Sequence, residues 1–542
     1  MVAVFALIGV RLVDLQAGDR RHYAALGLDQ RTHTVTLAAE RGSIFDRNGN
    51  DLAISVGRSS IYANPRQIEQ PAVVAARLAP LVRVDERALR NQLSDRDHAF
   101  VYVARQVEPA VAAKVRALGL RGVGFVPESK RYYPSDPLAA PLIGWVGIDN
   151  SGLGGLEAGD ERTLAGRPGR MRVEEDPEGR EIPDGERRVR PAERGSDLLL
   201  TIDRSMQFEV ERVLAEEVTR AEAKGGGMAV IADVQTGDIL AMASVDGPAR
   251  DTPAHAATAN EHNRPLTDVF EPGSTNKVVT IAAALEAGVV NPDTVLSVPQ
   301  ALVVDGQKYQ DVETHQTAMS IRDIVRESSN VGTILTARML GKERFDAALR
   351  AFGFGAPTGL NFPGEAPGLL LPLDQYNDTS LASMPIGNGI AVTAIQMLDV
   401  YLTIANGGVA RAPRLVAATI DAAGERHDAP LGTTRRVVSD TTSASMREML
   451  EAVVASGTGT KAQIPGYRVA GKTGTARKPP YDKPPYRYVA SFAGFAPANA
   501  PRLAGIVVLD EPQSNVFGGQ VAAPVFARIM RYALAVERVP AQ

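Results

Sequence analysis

The chain contains no cysteine among its 542 residues. That removes thiolate nucleophiles, cysteine-ligated zinc and disulfides, and leaves the redox compartment open. It also lacks a basic excess. The net charge of −4 and pI near 6.1 supply no cationic surface for phosphates, so nucleic acid is not an expected partner. Histidine is sparse. The seven residues His22, His33, His98, His255, His262, His315 and His427 include no pair at metal-site spacing, so no metal or other cofactor is expected. Long apolar runs are missing too. Val2 to Val10 is uninterrupted apolar sequence, but at helical rise it spans only about half of the ~30 Å hydrocarbon layer. No basic region precedes it and no small-residue cleavage site follows, so it reads poorly as a secretory signal. It is either an ordinary buried helix end or, as we favour, the outer half of a membrane anchor whose start lies upstream.

What is present is a globular composition, 44% hydrophobic and 23% charged, in a chain too long for one core. We expect a partial anchor over 1–16, an elongated mixed domain over 17–195 and a larger domain over 196–542. In the first domain, Thr32 to Leu37 alternates like a strand, and Asn48-Gly49 marks a tight turn. The Arg and Asp residues around that turn suggest a local ion-pair network. Segments 70–83, 85–95 and 107–118 carry helical periodicity, and 161–194 reads as extended hairpins and linker. The Gly-rich stretch from Gly144 to Glu157 fails as a dinucleotide loop, lacking the third glycine and a βαβ setting. From Asp197 on, a helix over about 204–223 precedes a hairpin of Met228–Ala232 and Asp238–Ser244. A mainly helical stretch runs to about Gly408, and three further strands and a closing helix over Val521–Val536 follow. Five strands paired as hairpins, helices at both ends and a helical insertion make an α+β architecture with an antiparallel sheet.

Three motifs carry chemistry. Ser274 and Lys277 lie in Pro272-Gly273-Ser274-Thr275-Asn276-Lys277, before an Ala-rich buried helix. The spacing puts an amine and a hydroxyl on one face at a helix N-terminus, where free N–H groups favour developing negative charge. Alone, such a pair is more often a solvated lysine beside a capping serine. Ser328-Ser329-Asn330 sits at a helix junction; Ser-x-Asn is weak by itself and recurs at Ser274-Thr275-Asn276. Lys472-Thr473-Gly474-Thr475 lies on a strand whose small residues admit a close substrate backbone. Gly466 to Thr473 also matches the phosphate-loop pattern letter for letter, but strand formers fill it and Gly474, Pro479 and Pro480 stand where its helix should begin.

Together, the Ser-x-x-Lys, Ser-x-Asn and Lys-Thr-Gly motifs form the signature of penicillin-binding proteins and β-lactamases. The chain resembles class B penicillin-binding proteins, most closely the cell-division, FtsI-like peptidoglycan transpeptidases. Arg41 to Gly49 is similar to a signature of that class's N-terminal domain, Arg11 to Gln16 to its post-anchor segment, and Ser491 to Pro497 with Gly518-Gly519 to its closing strands. Val245-Asp246-Gly247 departs from the aromatic-Pro-Asn run common in relatives. The resemblance implies the penicillin-binding transpeptidase fold and serine acyl transfer between stem peptides, from a D-Ala-D-Ala donor to an amine acceptor, blocked by β-lactams. It implies Ser274 as nucleophile, Lys277 as base, Ser328 as proton shuttle and Asn330 as support for Lys277 and the substrate amide. Lys472, Thr473 and Thr475 would bind the donor's terminal carboxylate, with Gly474 also in the substrate-binding strand, and the N–H groups of Ser274 and Thr475 would form an oxyanion hole. It further implies a membrane-anchored, extracytoplasmic enzyme working with a separate glycan-polymerising membrane protein and division proteins. A β-lactamase or D,D-carboxypeptidase on the same fold, or a non-catalytic penicillin-recognising scaffold, remain as alternatives.

Overall fold

The computed structural model describes residues 2–13, 31–135, 137–174, 187–248 and 262–541, with 176, 182 and 185. The segment expected to follow an anchor, Asp14 to Gln16, lies outside the described residues, as do 17–30. Val2–Val13 is one helix, and among the described residues no helix is long and apolar enough to cross a membrane.

Five strands form the sheet on which the site is built: β1 (Gly226–Asp233), β2 (Ile239–Val245), β3 (Ala470–Lys478), β4 (Arg487–Ala496) and β5 (Leu503–Asp510). All neighbours are antiparallel, in the order β2-β1-β5-β4-β3. β1, β2 and β5 read as near-continuous apolar runs because helices cover both faces of the sheet. The helices used below are α1 (Arg204–Arg220), α2 (Lys277–Glu286), α3 (Asn330–Leu340), α4 (Ala394–Ala405) and α5 (Gly518–Val536). Along β5, Leu503, Val507 and Leu509 join Val210, Leu214, Phe526 and Met530 of α1 and α5 in one core. Ala504, Ile506 and Val508 join Val278, Ile281, Leu398 and Tyr401 of α2 and α4 in the other. A strand's period of two produces that division.

The stretch expected to be mainly helical contains two short antiparallel ladders, Val295–Ser297 with Ala318–Ser320 and Ala301–Val304 with Gln307–Gln310. The second closes through Asp305-Gly306, both at positive φ, as a two-residue hairpin turn requires. The phosphate-loop look-alike is excluded: its lysine and threonine stand inside β3, which runs on to Lys478 where a helix would have to begin. Gly144 to Glu157 forms a bridge between Val146 and Gly152 and the start of a short helix, Gly155–Gly159.

Before the large domain, helices Pro71–Val82, Glu86–Ser94 and Pro109–Ala117 match the periodic segments. They pack beside a sheet whose long strand Asp51–Ala63 pairs with Val101–Val107 and Val123–Tyr132. Thr32–Leu37 pairs with Gly169–Glu174, which also pairs with Arg187–Arg190. Strand Asp197–Leu200 runs parallel to Ile44–Phe45 and antiparallel to Val416–Ile420. Backbone hydrogen bonds therefore cross the expected boundary at 195/196.

The Asn48-Gly49 turn is as expected, with Asp46 accepting the amides of Asn48 and Asn50 at 2.9 and 2.8 Å. Its ion pairs, however, are not local. Arg41, buried, meets Glu157 at 2.6 Å and Glu161 at 2.6 Å, and Glu157, also buried, receives Arg131 at 2.7 Å. On the other side, Arg47 pairs with Glu537 at the end of α5, and Asn48 donates to Asp203, the cap of α1. Removing one member of a buried network strands the other charges, which typically costs about 3–5 kcal/mol. Glu157→Gln should therefore lower the unfolding free energy measured by urea denaturation by that much, whereas Arg47→Gln at the half-exposed pair should cost under about 1 kcal/mol; equal losses would contradict the network's burial.

Candidate active site

Ser274 stands in a 3-10 turn, Gly273–Asn276, and the regular helix α2 begins only at Lys277. The turn is clamped on every side. Gly273 N–H donates to Gly387 O at 3.0 Å, Thr275 Oγ1 to Pro272 O at 2.8 Å, Asn276 Nδ2 to Met384 O at 2.8 Å, and Tyr401 OH to Thr275 O at 3.1 Å. Gly273 has φ +56°, and a Cβ there would come within 3.0 Å of Thr475 O. Glycine is thus required by both the turn and the close approach to β3. Ser274 is half-buried, and its hydroxyl has no hydrogen-bond partner among the described residues.

Lys277, three residues on, is buried. Its Nζ donates to Ser328 O at 2.6 Å and Asn330 Oδ1 at 2.7 Å, and lies 3.3 Å from Ser328 Oγ. Lys472, from β3, is fully buried and donates to the same Ser328 Oγ at 2.7 Å. Two amines from opposite walls therefore converge on one hydroxyl. The expected pairing of Lys277 with the Ser274 hydroxyl is not formed here; such contacts often tighten only with substrate bound. Burial takes Lys277 down to about 7 from its ordinary 10.5, against the opposing pull of Asp311. Burial, followed by repulsion from Lys277, holds Lys472 well below the usual lysine range.

Ser328 sits at φ +62°, a left-handed conformation that costs a non-glycine residue about 1–3 kcal/mol. What holds it is Asp311, which the sequence reading missed. Its carboxylate, buried, accepts from Ser329 Oγ at 2.7 Å, from Val331 N–H at 3.1 Å and from Asn330 N–H. It therefore receives the free N–H groups at the start of α3, where a negative charge is favoured. His315 adds a fourth contact at 2.7 Å, while its other ring nitrogen faces Gln316 O at 2.9 Å. Two acceptors favour the imidazolium, and its pKa is raised, chiefly by the Gln316 carbonyl and then by Asp311. No local pattern around Asp311-Val312-Glu313-Thr314-His315 announces this role. Asn330 keeps one amide proton for a ligand, since its Nδ2 already donates to Gln310 O at 2.9 Å.

β3 is an edge strand, so one row of its backbone groups is free of β4. Thr473 Oγ1 lies 2.8 Å from Thr458 Oγ1, and Thr475 Oγ1 accepts the Gly518 N–H at 3.1 Å. Gly474 permits the strand to press on the serine turn: a Cβ would fall 2.3 Å from Ser491 Oγ and 2.9 Å from Pro272 O. The expected residues thus come together where the serine turn meets β3: a hydroxyl without a partner among the described residues, two depressed amines, a bridging serine and an open strand edge. That combination suits acyl transfer.

The chain matches the penicillin binding protein transpeptidase domain over residues 227–531 and the penicillin-binding protein dimerisation domain over residues 36–200. It is 34% identical to penicillin-binding protein PbpB of Mycobacterium tuberculosis, covering 100% of this chain and 84% of that one. It is 35% identical to peptidoglycan D,D-transpeptidase FtsI of Escherichia coli, covering 91% of this chain and 83% of that one. A solved structure of penicillin binding protein 3 from Mycobacterium tuberculosis, complexed with aztreonam, superposes with a TM-score of 0.72 at 31% identity, over 94% of this chain and 98% of that one.

Asp311→Asn swaps one acceptor oxygen for an N–H₂ that faces donors, releasing the strained Ser328 turn. We expect Ser274 to be acylated about 10²-fold more slowly by an activated acyl donor such as a thioester, with the far-ultraviolet spectrum unchanged. A rate within twofold of wild type would show that Asp311 does not position the turn.

Proposed function

Because this chain belongs to the class B penicillin-binding proteins of the cell-division type, we propose that it crosslinks peptidoglycan stem peptides through an acyl-enzyme on Ser274. The observation that supports this most is the single hydroxyl of Ser328 receiving Lys472 and lying within reach of Lys277, while the Ser274 hydroxyl has no partner among the described residues. Neutral Lys277 takes the proton from Ser274 Oγ as that oxygen attacks the carbonyl carbon between the donor's last two D-alanines. The N–H groups of Ser274 and Thr475 receive the oxyanion, each donor of this kind being worth roughly 10²–10³ in rate. The carbon–nitrogen bond then breaks, and the proton passes from Lys277 through the Ser328 hydroxyl to the departing D-alanine nitrogen. An amine from a second stem peptide attacks the ester and returns its surplus proton by the reverse path. One amide is exchanged for another.

In this reading the Thr473 and Thr475 hydroxyls, on the free edge of β3, hold the donor's terminal carboxylate beside Lys472. Asn330 steadies Lys277 and offers its remaining proton to the substrate amide. A β-lactam enters the same path, and its opened ring stays on Ser274 because no leaving group departs to make room for the amine. The apolar helix Val2–Val13 would be part of a membrane anchor that keeps the catalytic unit outside the cytoplasm. Glycan polymerisation would fall to a separate membrane protein, with division proteins as further partners.

Labelled penicillin should bind covalently one to one, and Ser274→Ala should abolish it; label retained by that variant would move the nucleophile elsewhere. Fast release of the label would instead favour a hydrolase. Since the neutral form of Lys277 is the base, acylation should climb about tenfold per pH unit up to about pH 7 and level off above. A profile flat from about pH 5.5 to 8 would remove Lys277 from that role.

A further inference from the structure

Beyond Thr475, β3 continues as Ala476-Arg477-Lys478, and these residues line a cavity of about 600 Å³ shared with Glu271, which immediately precedes the serine turn. Most charges in it are already matched. Asp510 takes Lys478 at 2.5 Å and Arg264 at 3.5 Å, and Arg264 also holds Asp268 at 2.9 Å. Two are not. The Glu271 carboxylate accepts Gly389 N–H at 2.8 Å, Tyr481 OH at 2.9 Å and, weakly, Asn388 Nδ2 at 3.5 Å, and no cation pairs with it among the described residues. Arg477 donates to Tyr481 O at 3.2 Å and lies 3.9 Å over the Tyr486 ring, with no carboxylate partner among the described residues. One residue, Tyr481, thus holds both groups in the same cavity.

A half-buried carboxylate without a cation is poorly solvated, and burial pushes Glu271 above the usual carboxylate range. An unpaired guanidinium a few residues along the strand is the complementary half. A ligand that satisfied both would carry an ammonium and a carboxylate close together. The position says which part of the substrate that is. A donor peptide extended along β3 advances ~3.3 Å per residue, so the residue just before the scissile D-alanine lies level with Ala476 to Lys478.

Resting on the acyl-enzyme reading above, we infer that this cavity receives the diamino acid side chain of the donor stem peptide. It is built for an end group with ammonium and carboxylate on one carbon, as in a 2,6-diaminopimelyl residue, in preference to the lone ammonium of a lysyl residue. Glu271 takes the ammonium and Arg477 the carboxylate. The apolar wall of Met228, Phe270, Ile390 and Val508 lines the methylenes between.

Two synthetic pentapeptide donors that differ only in this residue, diaminopimelyl or lysyl, test the assignment through kcat/KM for D-alanine release with one fixed acceptor amine. The wild-type chain should favour the diaminopimelyl donor about tenfold or more, the size expected of one charge-assisted contact. Arg477→Gln should bring the ratio near one by slowing that donor alone, and Glu271→Gln should slow both donors while largely keeping the ratio. The readout is a ratio on one enzyme, so a general loss of activity in a variant cancels. Equal rates for wild type, or a preference untouched by Arg477→Gln, would overturn the assignment. A preference that follows the acceptor's diamino acid with the donor held constant would overturn the choice of donor. Failure of the underlying reading looks different: neither donor would release D-alanine and penicillin would leave no label on Ser274, and the inference would fall with it.

Discussion

Two lysine amines buried around one hydroxyl oxygen set the terms for the rest of this molecule. Both nitrogens reach Ser328 Oγ, so they stand less than about 6 Å apart, and two full charges there would repel by about 3 kcal/mol at an effective dielectric near 20. Burial adds to that cost, and at least one amine gives up its proton. Lys277 alone, brought from 10.5 to about 7, carries a stability penalty of about 5 kcal/mol. The sign follows from the depressed value. The unfolded lysine keeps its proton up to its ordinary pKa, so the penalty is complete below pH 7 and fades as pH rises towards 10.5. Stability is given up to hold an uncharged amine at this position, the form that the proposed acyl transfer uses.

The fold makes that expense bearable by rigid support at three points. The serine turn is bonded to Gly387, Met384 and Tyr401, the Ser328 turn to Asp311, and Lys472 to a strand pressed against the turn at Gly474. Asp311 performs two tasks at once. It terminates the amides of α3, and its charge partly offsets the depression of Lys277. Without such bracing, the left-handed Ser328 would relax and the two amines would separate.

The first domain joins this arrangement through polar contacts, not through a shared hydrophobic core alone. The Asn48-Gly49 turn touches Asp203 and Glu537, which lie at the start of α1 and the end of α5, the two helices covering one face of the sheet. Behind it, Arg41 and Arg131 share Glu157 in the interior. Strand Asp197–Leu200 completes the joint by pairing with segments from both sides of the expected boundary. These contacts fix the orientation of the catalytic sheet relative to the preceding domain.

The parts legible from the chain alone are those whose physics is local. Alternation and apolar runs specified the five strands, three-residue spacing placed Ser274 and Lys277 on one turn, and Asn-Gly marked a turn that exists. The three short motifs, taken together, pointed to acyl transfer. The Asp305-Gly306 hairpin was equally local and was overlooked within a helical stretch. What no window of sequence contains is the partner of a buried charge. Arg41 finds Glu157, Asp311 finds the amides after Ser328, and Glu271 and Arg477 come to share Tyr481, only because the sheet returns after long excursions of chain. A lysine in Gly-Lys-Thr-Gly reads the same whether solvated or sealed; the tertiary structure decided that Lys472 is sealed, and so that its proton is weakly held.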